Sequence, residues 1–178
     1  CRRVTAGGAR GKEEAMTDYG GLLKALSDGE VRFIVVGGVA GIIHGAARQT
    51  LDVDVVYERS DDNLSRLATA IAPHKPYLRD APPGLPFTLD KATLQAGLNF
   101  TLTTELGEID LLGEIVGGGG YEEFIDNTIT VQAYGIDIVC LDLKTLIRVK
   151  RAAGRPKDFD AIAELEAMLE DDQEDDAE

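Results

Sequence analysis

Cysteine, histidine and long apolar runs are all scarce in this 178-residue chain, and each scarcity excludes something. The two cysteines, Cys1 and Cys140, make no disulfide framework, and their spacing makes no zinc site. Cys140 stands in the apolar run "IDIVCL" and reads as a small packed hydrophobe. Such cysteine usage suits a reducing compartment, and the cytoplasm is the expected location. His44 and His74 have no second histidine at ligand spacing, so neither suggests a metal site. No apolar stretch approaches the roughly 20 residues of a membrane span. The opening "CRRVTAGGARGKEEA" lacks the apolar core of a signal segment. The run "GGGG" at 117–120 has no following lysine and Ser/Thr, which excludes a P-loop and leaves a flexible loop.

What is present is one domain's worth of hydrophobic residues, 44%, and a net charge of -14. That charge repels nucleic acid globally, so stable binding to genomic DNA is not expected. It is unevenly spread. "EDDQEDDAE" ends the chain as a solvated acidic run, whereas "KTLIRVKRAAGRPK" at 144–157 is strongly basic. A local anion site can therefore coexist with global repulsion. The reading sets residues 1–15 aside as a disordered or non-native extension before Met16, takes 16–170 as the domain, and takes 171–178 as a disordered acidic tail.

Periodicity alternates between helix and strand. "DYGGLLKALSDGE" reads as an amphipathic helix stopped at Gly29, and "VRFIVVGG" as a buried strand running into a glycine turn. "VAGIIHGAAR" reads as a helix and "LDVDVVYE" as a strand; Ser60 then caps "DDNLSRLATAIA". "PHKPYLRDAPPGLPF" reads as a proline-rich loop. "LNFTLTT" with "GEIDLLGEI" and "TITVQAYG" with "IDIVCL" read as two hairpins. Two helices follow, parted by "GRP", with glycine ending the first and Pro156 starting the second. The class is α/β or α+β.

Two features are costly unless something offsets them. Residues i and i+2 of a strand share a face, so Asp52 and Asp54 point the same way while Val53 and Val55 pack behind them. Two carboxylates this close force one toward its neutral form unless a cation intervenes. Hard divalent cations take such oxygen ligands, and Mg²⁺ prefers one or two carboxylates completed by substrate phosphates. An isolated Asp-x-Asp on a solvated strand face would need no such account. Here three neighbours favour a site. Gly37–Gly38 opens the preceding helix and presents backbone N–H groups suited to phosphate. Asp110, bracketed by Ile109 and Leu111, offers a third carboxylate, with Glu108 of the same parity as a spare. The basic segment offers charge to a triphosphate.

Three blocks, "GGVAGIIHGAARQTLDVDVV", "NFTLTTELGEIDLLGE" and "VKRAAGRPKDFDAIAEL", resemble the small bacterial nucleotidyltransferases of the DNA polymerase β superfamily, and within it the stand-alone branch related to AbiEii-type toxin nucleotidyltransferases. The resemblance runs from Val31 to Leu169. It implies a nucleotidyltransferase fold, a mixed central sheet flanked by helices with a C-terminal helical element. It places Gly37 and Gly38 at the nucleotide phosphates, makes Asp52 and Asp54 the metal-binding pair, and makes Asp110 the third carboxylate. It implies two Mg²⁺ ions, for which Mn²⁺ can substitute, and transfer of a nucleoside monophosphate from an NTP to an acceptor hydroxyl with release of pyrophosphate. The acceptor would be RNA such as tRNA, a protein or a small molecule, and a cognate antitoxin would accompany a toxin role. One departure stands out: the wider superfamily commonly has Gly-Ser at the turn, with the hydroxyl on a phosphate, and this chain has Gly38 there.

Arg48 and Thr50, just before the acid pair, are further nucleotide-binding candidates. Within the resemblance Lys150, Arg155 and Lys157 look like the basic block facing the cleft, with an ordinary basic helix end as the alternative. Arg48 holds a phosphate or the third carboxylate, or else makes a structural ion pair at the start of the strand. Lys150 and Lys157 favour substrate, and Arg155 combines substrate contact with a helix-end role. Two other functions compete. A non-catalytic nucleotide-binding or protein-interaction module could use the same fold. A metal-dependent phosphohydrolase also uses carboxylate clusters, but the histidines usual there are missing.

Overall fold

The computed structural model describes residues 16–175, with side chains described through residue 171. The first expected segment, 1–15, and residues 176–178 lie outside the described residues. The elements in order are α1 (Tyr19–Asp28), β1 (Phe33–Val36), α2 (Gly37–His44), β2 (Asp52–Tyr57), α3 (Asp61–Ile71), β3 (Tyr77–Leu78), α4 (Lys91–Ala96), β4 (Asn99–Thr104), β5 (Gly107–Leu112), α5 (Tyr121–Phe124), β6 (Thr128–Ala133), β7 (Ile136–Leu141), α6 (Leu143–Ala153) and α7 (Phe159–Asp175).

The strands form one sheet of seven in the order β3-β4-β5-β2-β1-β7-β6. β2 pairs in parallel with β5, and β1 with β7; the other pairs are antiparallel. The mixed sheet with flanking helices is the architecture the sequence implies. Both hairpins form where the alternating patterns place them. β1 is buried along its whole length, as expected of a central strand with helices on both faces. Val53 and Val55 of β2 are fully buried, whereas Asp52 and Asp54, which alternate with them, are only partly so.

Local chemistry sets the ends of the helices. Asp18, Ser60, Asp90 and Asp142 each accept a backbone N–H in the first turn of α1, α3, α4 and α6. Gly45 and Gly154 end α2 and α6 in the left-handed conformation, φ 109° and 59°. Pro156 opens a short 3-10 turn, Pro156–Asp158, before α7 begins at Phe159.

Three local expectations change. β3 lies inside the stretch read as a proline-rich loop; only two residues pair with β4, too few to show a period. The glycines at 117–120, expected as a flexible loop, form a closely packed turn bridged between Ile115 and Gly119. A Cβ at Gly117 would collide with Ala152, and one at Gly118 with Phe124. Finally, α7 continues to Asp175, five residues into the stretch set aside as a disordered tail at 171–178. Aspartate, at 171, 172 and 175, is a weak helix former, so this extension of the helix does not follow from local propensity.

Candidate active site

The site lies where β1 gives way to α2. Val36, the last residue of β1, is paired with Asp54 of β2. The chain turns at Gly37 with φ 64° and enters α2. Only glycine fits there: a Cβ at residue 37 would lie 2.7 Å from Asp54 Cγ and 2.9 Å from its Cβ, with Oδ2 closer still. The helix N-terminus, with its unsatisfied N–H groups, therefore opens directly over the carboxylate.

Parallel pairing of β2 with β5 sets Asp54 beside Asp110 and Asp52 beside Glu108. Asp52, Asp54 and Asp110 each present a carboxylate oxygen within 4.8 Å of the other two. Burial drives the Asp54 carboxyl up to about 7, helped by the negative charges of Asp52 and Asp110 and opposed by Arg155 and Lys150. Asp110 is also raised, first by its burial, with Arg79 pulling the other way. Glu108 lies outside the trio and is paired instead with Arg79.

Arg79 was not among the residues singled out from sequence. It follows β3 and sends its guanidinium into the acidic pocket, with Nη2 2.8 Å from Asp110 Oδ1, Nη1 3.5 Å from Asp52 Oδ2 and Nε 3.2 Å from Glu108 Oε2. The partner of the third carboxylate is thus Arg79 and not Arg48. Arg48 reaches away to Asp160 and Glu164 on α7, at 3.3 and 3.7 Å. That is the structural ion pair among its expected roles, although Arg48 still lines the cavity. The only sequence signal for Arg79 was one basic residue in "PYLRDAPP".

Thr50 donates its hydroxyl to Asp52 Oδ1 at 2.9 Å, and its carbonyl accepts a hydrogen bond from the Tyr19 hydroxyl. It also explains Gly38: a Cβ there would meet Thr50 Cβ at 2.5 Å and Oγ1 at 2.7 Å. A serine at 38 has no room while Thr50 is present.

The carboxylates, the glycine turn and Thr50 share one cavity of about 530 Å³ with Lys150, Arg155 and Lys157. All ten residues singled out from sequence line it. Lys150 is mostly buried and 3.5 Å from Asp158. Leu112, Ile115, Val116, Leu146 and Val149 add apolar lining to the cavity. His44 takes a packing role, its Nε2 hydrogen-bonded to the Leu141 carbonyl at 2.8 Å.

These residues fit a divalent cation. The donor set is entirely carboxylate oxygen, the choice of Mg²⁺ and Mn²⁺. A guanidinium already compensates one side of the cluster. No helix among the described residues is long and apolar enough to cross a membrane.

No protein-family model matches this sequence, and no curated protein matches it. Solved structures do. One is a presumptive nucleotidyltransferase from Thermotoga maritima, at TM-score 0.53 and 12% identity, covering 80% of this chain and 86% of that one. Another is the lincosamide antibiotic adenylyltransferase LnuA with lincomycin bound, at TM-score 0.56 and 15% identity, covering 83% of this chain and 93% of that one. Both carry nucleotidyltransferase names, and at these identities they show that this chain shares their fold.

Proposed function

We propose that this chain is a metal-dependent nucleotidyltransferase that moves a nucleoside monophosphate from an NTP to an acceptor hydroxyl and releases pyrophosphate. The observation that carries the reading is the convergence of Asp52, Asp54 and Asp110 beside the Gly37–Gly38 turn, in a cavity that Lys150, Arg155 and Lys157 also line. The shared fold of two nucleotidyltransferases supports it.

Asp52, Asp54 and Asp110 would hold Mg²⁺, two ions by the sequence resemblance, or Mn²⁺ in its place. Such ions supply Lewis-acid polarisation of the phosphoryl group and a more acidic acceptor hydroxyl. The chain's own groups do the rest. Backbone N–H groups at Gly37 and Gly38 bind phosphate oxygens, as helix N-termini do. Lys150, Arg155 and Lys157 add positive charge to hold the triphosphate. Thr50 orients Asp52 through its hydroxyl. Asp110 accepts the acceptor's proton, its carboxylate fixed by Arg79. The apolar lining residues take the base or the acceptor.

For the acceptor, the name of LnuA gives a small-molecule precedent, and RNA and protein remain alternatives. A toxin role in the AbiEii-type branch, with a cognate antitoxin, rests on the three sequence blocks. The test is nucleotide binding with and without Mg²⁺ for the unmutated protein and Asp54→Ala. Metal-dependent binding that is lost in the variant supports the reading. Equal, metal-independent binding by both would leave a non-catalytic nucleotide-binding module.

A further inference from the structure

We propose that Arg79 is a resident counter-ion that disfavours free metal at the carboxylates, so that metal enters together with the nucleotide. This rests on the nucleotidyltransferase reading and adds a positioning residue to it. Arg79 touches three of the four acids at the site, Asp52, Glu108 and Asp110, and makes no ion pair with Asp54. It therefore lies to the Asp110 side of the ligand trio. Its side chain is only 17% exposed, and Nε is buried without a well-formed hydrogen bond.

The guanidinium is also anchored. Its Nη2 donates to the Leu102 carbonyl at 3.3 Å, and the backbone N–H of Arg79 donates to the Thr101 carbonyl at 2.9 Å. Both acceptors lie on β4, which pairs with the strand that carries Asp110. Arginine stays charged at any relevant pH. A divalent cation arriving alone meets acids already partly neutralised and a fixed like charge beside them. A cation arriving with a triphosphate brings negative charge that offsets the guanidinium. Binding of metal and nucleotide is then coupled, and the coupling is reciprocal.

The experiment is a Mn²⁺ titration, with and without each of four α,β-methylene nucleoside triphosphates. It reads protein-held Mn²⁺ from the enhancement of water proton relaxation against a protein-free control with the same nucleotide. It compares the unmutated protein, Arg79→Gln and the charge-retaining Arg79→Lys, each first shown to be folded by thermal melting. Unmutated protein should bind Mn²⁺ weakly alone and at least about tenfold more tightly with a matching nucleotide. Arg79→Gln should bind Mn²⁺ alone about tenfold more tightly than the unmutated protein, with a smaller further gain from nucleotide. Arg79→Lys should stay near the unmutated protein. Unchanged or weaker metal-only binding in Arg79→Gln, with coupling intact in the unmutated protein, would overturn the role of Arg79 alone. Absence of Mn²⁺ binding by every form with every nucleotide would overturn the nucleotidyltransferase reading itself.

Discussion

Gly37 and Asp54 are mutually dependent: the carboxyl of Asp54 fills the space a Cβ at residue 37 would need, and φ there is 64°. Gly37→Ala combines left-handed strain with a clash between the new Cβ and the Asp54 side chain. It should cost about 1–3 kcal/mol of stability. Nucleotide binding should be lost even at temperatures where the variant is folded, because Asp54 and the helix N-terminus are pushed apart. Urea unfolding with nucleotide titration on the same sample checks both.

Gly38 and Thr50 compete for one space in the same way. Gly38→Ser alone should destabilise by about 1–3 kcal/mol, the usual range for overpacking. Adding Thr50→Gly should recover most of that stability, because it clears the Cβ and hydroxyl that the serine meets. Thermal melting of the two single variants and the double variant checks this. Additive losses in the double variant would contradict the shared-space account.

Much of this site was legible because it follows a strand period. Asp52 and Asp54 had to share a face, and Val53 and Val55 had to oppose them. Asp110 needed more: only the parallel register of β2 with β5 sets it beside Asp54, and register between distant strands leaves no local mark. Arg79 left still less, because β3 is two residues long and sits among prolines. Arg48 was ambiguous because the acids that claim it, Asp160 and Glu164, lie on a helix more than a hundred residues away. α7 runs on to Asp175 through aspartates whose local propensity gives no sign that the helix continues.

Without metal, stability should fall as pH rises. Asp54 keeps its proton in the folded chain up to about 7 but loses it near 3.8 when unfolded. Between those values the folded state binds more protons, so each rise in pH favours unfolding. The loss begins above about 4, is complete above about 7, and is on the order of 2–4 kcal/mol. Asp54→Asn should flatten this dependence and be more stable than the unmutated protein at pH 8. Saturating Mg²⁺ should flatten it too. Melting temperatures from pH 5 to pH 8, with and without Mg²⁺, provide the check.

Lys150 is held 3.5 Å from Asp158 at the cavity wall. Lys150→Gln should weaken nucleotide binding about tenfold, since a charged hydrogen bond to phosphate contributes roughly 1.5–3 kcal/mol. Asp158→Asn frees the ammonium group and should leave binding equal or tighter. Weaker binding in Asp158→Asn would instead show that the pair is needed to aim Lys150. Isothermal titration with nucleotide and Mg²⁺ distinguishes these outcomes.

The central claim is nucleotidyl transfer, and one assay tests it most directly. Folded protein is incubated with Mg²⁺ and each α-labelled nucleoside triphosphate in turn, with RNA, protein or small hydroxyl compounds as acceptor, beside Asp54→Asn. The account predicts label on one acceptor class from the unmutated protein, one pyrophosphate released per transfer, and neither from Asp54→Asn. Orthophosphate release without transfer, or transfer that survives in Asp54→Asn, would contradict it.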